Sequence, residues 1–177
     1  MSLPFRRITA AAVFVLAGGT SAFVMASPAY AGTVTVNYSC EVPLTGTLTG
    51  DVDVTITAPA TAAVGDTVEI TVQTGPAPFT APIDLEAGSV TPSIEVTVGG
   101  AQTGSVTAQG APNAEPVPAN TPITPAPMTG SLALTSAGQV DLSPGPITAT
   151  AVTIFGTFAI PCTPTSTPPV AASIQVS

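Results

Sequence analysis

From Thr33 onward, apolar and polar side chains alternate one by one along much of the chain. Period-2 alternation in Val, Thr and Ile is the signature of a half-buried strand, with one face to the core and one to water. Thr33-Val34-Thr35-Val36-Asn37-Tyr38 reads as a first strand. The run 49–57 sets Val52, Val54 and Ile56 on one face, and 67–73 repeats the pattern after a turn at Val64-Gly65-Asp66. Strands are expected again at 93–98, 104–108, 130–134, 138–142 and 172–176, with a hairpin signal at Gly99-Gly100. The stretch Ile147 to Ile160 reads as one long, kinked strand that carries Phe155 and Phe158 toward Cys162. Residues 79–86 read as a short strand or bent connection. The Pro-rich stretch 110–127 reads as a surface loop, because proline cannot sit inside a sheet ladder. Eight or nine short strands without a helical stretch predict an all-β chain, an antiparallel β-sandwich built as one domain.

The N-terminus follows a different pattern. Arg6 and Arg7 precede an apolar run, Ile8 to Val24, and Ala29 and Ala31 then form an A-x-A site. Positive end, apolar middle and small-residue site predict a signal peptide over 1–31, cleaved after Ala31. The apolar run is short for a membrane anchor. Thr9 and Ala10 depart from a twin-arginine signal, and Gly19 stands where a lipoprotein would carry its cysteine. The exported domain is then 32–177, without a membrane span, secreted or held at the cell wall.

Cleavage there changes the electrostatic picture. Arg6 and Arg7 are the only basic residues of the chain, and all ten acidic residues lie beyond residue 31. A domain with no Lys, Arg or His repels nucleic acid and anionic membranes, so nucleic-acid binding is excluded. Cys40 and Cys162 are the only cysteines, and in an oxidising setting they are expected to pair. Closing so long a loop stabilises by roughly 5 kcal/mol in the chain-entropy treatment.

The same composition removes most catalysis. Without His, no Ser-His-Asp, Cys-His or His-metal arrangement can form, and without Lys no Schiff base can. No catalytic, cofactor-binding or metal residue is assigned. Carboxylate pairs are what remains: Asp51 with Asp53, and Asp84 with Glu86, each two apart. Such pairs can hydrolyse glycosides or hold calcium, but solvated carboxylates that keep a sheet soluble are the leading reading. Tyr38 and the phenylalanines are expected in the core. Asn37-Tyr38-Ser39 matches a glycosylation acceptor by chance, inside a strand.

The run 57–72, Thr-Ala-Pro-Ala-Thr-Ala-Ala-Val-Gly-Asp-Thr-Val-Glu-Ile-Thr-Val, resembles the strand-turn-strand signature of bacterial Ig-like surface modules. Tyr38-Ser39-Cys40 and Cys162-Thr163-Pro164 stand where uncharacterised secreted proteins of actinobacteria (high-GC Gram-positive bacteria) carry Tyr-x-Cys and Cys-x-Pro. The resemblance implies an Ig-like sandwich at the cell surface and brings no activity with it. The expected function is a non-enzymatic secreted or cell-surface module for envelope structure, adhesion or partner binding. Its partner would be a protein or a cell-wall glycan. The alternatives are a carboxylate-dependent, glycosidase-like hydrolase, and an effector that presents the 110–127 loop to a protein.

Overall fold

Alternating residues become paired strands wherever the pattern is regular. A computed structural model describes residues 29–43 and 45–177; the signal peptide expected over 1–31 falls outside them except for its last three residues. Ten strands form: β1 (Ala29–Val42), β2 (Gly46–Pro59), β3 (Thr61–Ala62), β4 (Thr67–Thr74), β5 (Val90–Gly100), β6 (Gly104–Gly110), β7 (Met128–Ala133), β8 (Gly138–Thr153), β9 (Gly156–Pro164) and β10 (Ala172–Val176). No helix occurs among the described residues. The chain is all-β and sandwich-like with one disulfide, as its pattern predicts.

Neighbours run in the order β3-β10-β8-β5-β6-β7-β4-β2-β1-β9, and β9 also pairs with β8. The ladder therefore closes on itself through eight strands, leaving β10 and β3 as an appendage on β8. Every ring pairing is antiparallel, whereas β10 and β3 run parallel. β10 lies across the core from β1 and β2. The inward positions of each strand supply one continuous core, from Tyr38, Ile56 and Ile70 to Ile94, Leu142 and Ile174.

The disulfide joins Cys40 to Cys162 with their Cα atoms 3.9 Å apart. The two residues face each other in the β1–β9 ladder, so the bridge lies within the wall of the ring. That ladder is only three residue pairs long, Tyr38–Cys40 against Cys162–Pro164. The covalent link sits at one of the two short seams of the ring, the other being the two-pair β6–β7 ladder.

Two departures from the expected elements share one cause. β8 runs through Pro144-Gly145-Pro146, joining the strand expected at 138–142 to the one expected from 147, and ends at Thr153. A bulge accommodates them: Glu95 alone on β5 faces Gly145 and Pro146 between the pairs Ile94–Ile147 and Val96–Pro144. On its other edge β8 pairs with β10 over 138–142 and with β9 over 147–153, so the prolines fall in the gap where β8 changes neighbours. A missing N–H costs least there. The stretch 147–160 is accordingly not one kinked strand. It is the end of β8, a turn at Ile154-Phe155 and the start of β9, and Gly156 takes φ 122° at the reversal.

Candidate functional site

At one end of the ring meet the end of β1, the start of β5, the end of β8 and the start of β9. Two irregular segments cover this end, 75–89 and 111–127. The second is the expected Pro-rich loop, but it is not a free arm. Its backbone pairs with the first segment from Ala77–Ile123 through Ala81–Thr121 and Leu85–Val117 to Gly88–Asn113, with N···O distances of 2.7–2.9 Å. Asn113 clamps the two: its Oδ1 accepts from Val90 N–H, and its Nδ2 donates to the carbonyls of Glu86 and Glu115. Ile123 and Leu85 are thereby held inward, buried under the segments that carry them.

Beneath this cover lies a cavity of about 330 Å³ lined by Val42, Leu85, Val90, Ile123, Ala151, Phe158 and Ile160 among others, with no charged side chain. The β8–β9 turn stands at its mouth. Ile154 there is 93% exposed and Phe155 71%, beside the half-exposed Val152. Scattered apolar residues on a surface are ordinary, but a cluster next to an apolar cavity marks a contact site. Phe155 therefore does not join the core as the sequence implied; exposed at the turn, it lines the cavity together with the half-buried Phe79 and Phe158. Nothing in a bare Ile-Phe pair announces a turn, which is why the periodicity carried a strand through it. Tyr38 is fully buried, as expected. Burial pushes its phenol well above the ordinary range.

A smaller cavity of about 50 Å³ adjoins the first, lined by Tyr38, Thr74, Ile147 and the two cysteines among others. Phe79, Ile123 and Ile160 line both cavities.

The carboxylate pairs lie elsewhere. Asp51 and Asp53 point outward from β2, where Asn37 Nδ2 donates to Asp51 Oδ1 at 2.7 Å and Thr35 Oγ1 to Asp53 Oδ1 at 2.6 Å. With the 2.7 Å contact of Thr33 and Thr55, these form a polar cross-strand ladder on the solvent face. Such pairs contribute about 0.2–1 kcal/mol each. Asp84 and Glu86 do not share a strand face, because their segment is irregular. Asp84 Oδ1 accepts from Ala119 N–H at 2.7 Å and so ties one covering segment to the other. Asp141 is held below the usual carboxylate range by Ser173 of β10, aided by Gln139. No cluster of three or more metal-ligating side chains occurs among the described residues, and no helix there is long and apolar enough to cross a membrane. Ala29 and Ala31, the expected cleavage residues, are exposed at the start of β1, opposite Pro59 and Thr57. Cleavage after Ala31 leaves β1 intact from Gly32.

The fold and site define a disulfide-closed, all-β chain with an apolar cavity under one end. Comparison with protein-family models, curated proteins and solved structures finds no match to it.

Proposed function

We propose that this chain is a non-enzymatic binding module, exported and working at the cell envelope as an Ig-like surface domain. It engages its partner at the covered end of the ring. The observation that carries this reading is the uncharged cavity with Ile154 and Phe155 exposed at its mouth. Titratable groups that could do acid-base work are absent from its lining, whereas apolar area that water disfavours is concentrated there. Export is supported by the charge and hydropathy order of the N-terminus and by the disulfide.

The test is retention on the immobilised exported chain of material from isolated envelope fractions: wall glycan, extracted lipid and surface protein. Wild type is expected to retain one fraction, and the Ile154→Ser/Phe155→Ser double variant to release it. Equal retention by both, or none by either, overturns the reading.

A further inference from the structure

Protein interiors keep few voids larger than a water molecule, so a cavity of about 330 Å³ under the covered end stands apart from the close packing around it. No polar atom of the chain is accessible in it. Thr153, the one lining residue with a polar side chain, uses its Oγ1 within the β8–β9 turn, donating to the Gly156 carbonyl and accepting from Phe155 N–H at 3.1 Å each. The backbone of Leu85 is likewise spent, since it exchanges hydrogen bonds with Val117 across the cover. Water entering the cavity would find none of the two to four partners it needs. Left empty, the lining forgoes dispersion contacts on its inner side. The cover cannot sink to close the gap, because Asn113 and the bond from Ala119 N–H to Asp84 hold its segments in place. Hydrocarbon is the filling that meets both conditions.

Size and charge narrow the hydrocarbon. An apolar cavity of roughly 150 Å³ takes a benzene ring, so a space about twice as large takes an unbranched chain of about ten to twelve carbons. A polar end has no partner inside and must stay in water. Its exit is the β8–β9 turn, where Phe155 both lines the cavity and stands exposed. The described residues contain no Lys, Arg or His and carry all ten carboxylates of the chain. An anionic headgroup at the exit therefore meets repulsion and no counter-charge.

We infer that the covered end binds the alkyl chain of an uncharged amphiphile, with the tail inside the cavity and the headgroup in water beside Ile154 and Phe155. The inference rests on the reading of this end as the binding end and names the class of ligand it takes.

Calorimetric titration of the exported chain with octyl, decyl and tetradecyl maltoside, each below its micelle concentration, tests it, with decanoate for comparison. Affinity is expected to rise about fourfold per methylene from octyl to decyl. From decyl to tetradecyl the gain per methylene should shrink, because the cavity is then full. Decanoate should bind about tenfold more weakly than decyl maltoside at low salt. Ala151→Phe on β8 and Ile83→Trp in the cover each fill the cavity, and each should weaken decyl maltoside about tenfold or more while melting no lower than wild type. Should one of the two fail to fold, the other carries the test. No heat with decyl maltoside, decanoate binding as tightly, an undiminished fourfold step through tetradecyl, or filled variants that bind like wild type each overturns the inference. So does a wild-type chain that sediments as a dimer and splits on binding, since a second copy is then the occupant of this end. Should wild type retain envelope material through Ile154 and Phe155 yet bind no maltoside, the binding end stands and the ligand assignment falls. Maltoside binding in the pattern above without envelope retention supports the site and overturns the envelope role.

Discussion

The phenolic hydroxyl of Tyr38 on β1 donates a 2.9 Å hydrogen bond across the core to the carbonyl of Gly145, 107 residues later on β8. The carbonyl it reaches lies in the gap where β8 passes from β10 to β9, so the sheet leaves that acceptor without a strand neighbour on that side. A side chain from the opposite wall does what the ladder does elsewhere. Tyr38→Phe removes the donor and strands a buried carbonyl, which should lower unfolding stability by about 1–3 kcal/mol in a denaturant titration. A midpoint within error of wild type would show that the contact contributes nothing.

The same tyrosine sets an alkaline limit. Its folded-state pKa is raised by burial, so above about pH 10 the unfolded phenol ionises while the folded one does not. The unfolded state then binds fewer protons, and stability falls as pH rises. Below pH 10 this contribution is fully present. Comparing wild type with Tyr38→Phe at pH 8 and pH 11 isolates it: the difference between the two should shrink at the higher pH.

Asp141 acts at the other end of the scale. Its depressed folded-state pKa means that its contribution is present above the unfolded value of about 3.9 and lost as pH falls through the folded one. Asp141→Asn should therefore be less stable than wild type at neutral pH, with the gap closing below about pH 4. A gap that persists at pH 2 would mean that packing of β10, rather than charge, is responsible.

Gly145 is fixed by space. A Cβ built there would stand 2.5 Å from the backbone oxygen of Glu95, the residue it shares the bulge with. Ala at this position forces β5 and β8 apart, and about 1–3 kcal/mol should be lost. Thermal melts of Gly145→Ala that matched wild type would remove close approach as the reason for the glycine.

Reduction of Cys40–Cys162, or replacement of both cysteines by Ala, should cost about 2–5 kcal/mol. Because the β1–β9 seam is so short, amide exchange should accelerate first in Tyr38–Cys40 and Cys162–Pro164 and only later in the β5–β6 hairpin. Uniform acceleration would place the weak point elsewhere.

Strand positions were legible in the sequence because burial on one face writes itself as alternation. Ala172–Val176 was placed to the residue, and 67–73 to within one. The disulfide was legible too, from two cysteines in a chain whose N-terminal pattern reads as an export signal. Closure of the ring was not, since pairing of β9 with both β1 and β8 leaves no local mark. The two irregular segments were read, but their mutual pairing was missed for a related reason: Asn113 and Asp84 act through backbone partners 23 to 35 residues away. That 138–142 and 147–153 are one strand was not legible either, because Pro144 and Pro146 lie between them and are tolerated only at the gap where β8 changes neighbours. Of the cavity the sequence offered Phe79, Phe155 and Phe158, but as core residues. The Ile154-Phe155 reversal turns Phe155 outward, whereas Phe79 packs partly buried against the core while also lining the cavity.

The bridge between residues 40 and 162 also decides how the molecule answers a pull. Tension applied between Gly32 and Ser177 travels along β1 to Cys40, crosses the sulfur–sulfur bond and leaves through the end of β9 and β10. Everything between the two cysteines stays slack, including both cavities and the segments above them. A domain tethered at one end and loaded at the other would keep its cavity end in shape under shear, extending only the short stretches outside the covalent loop.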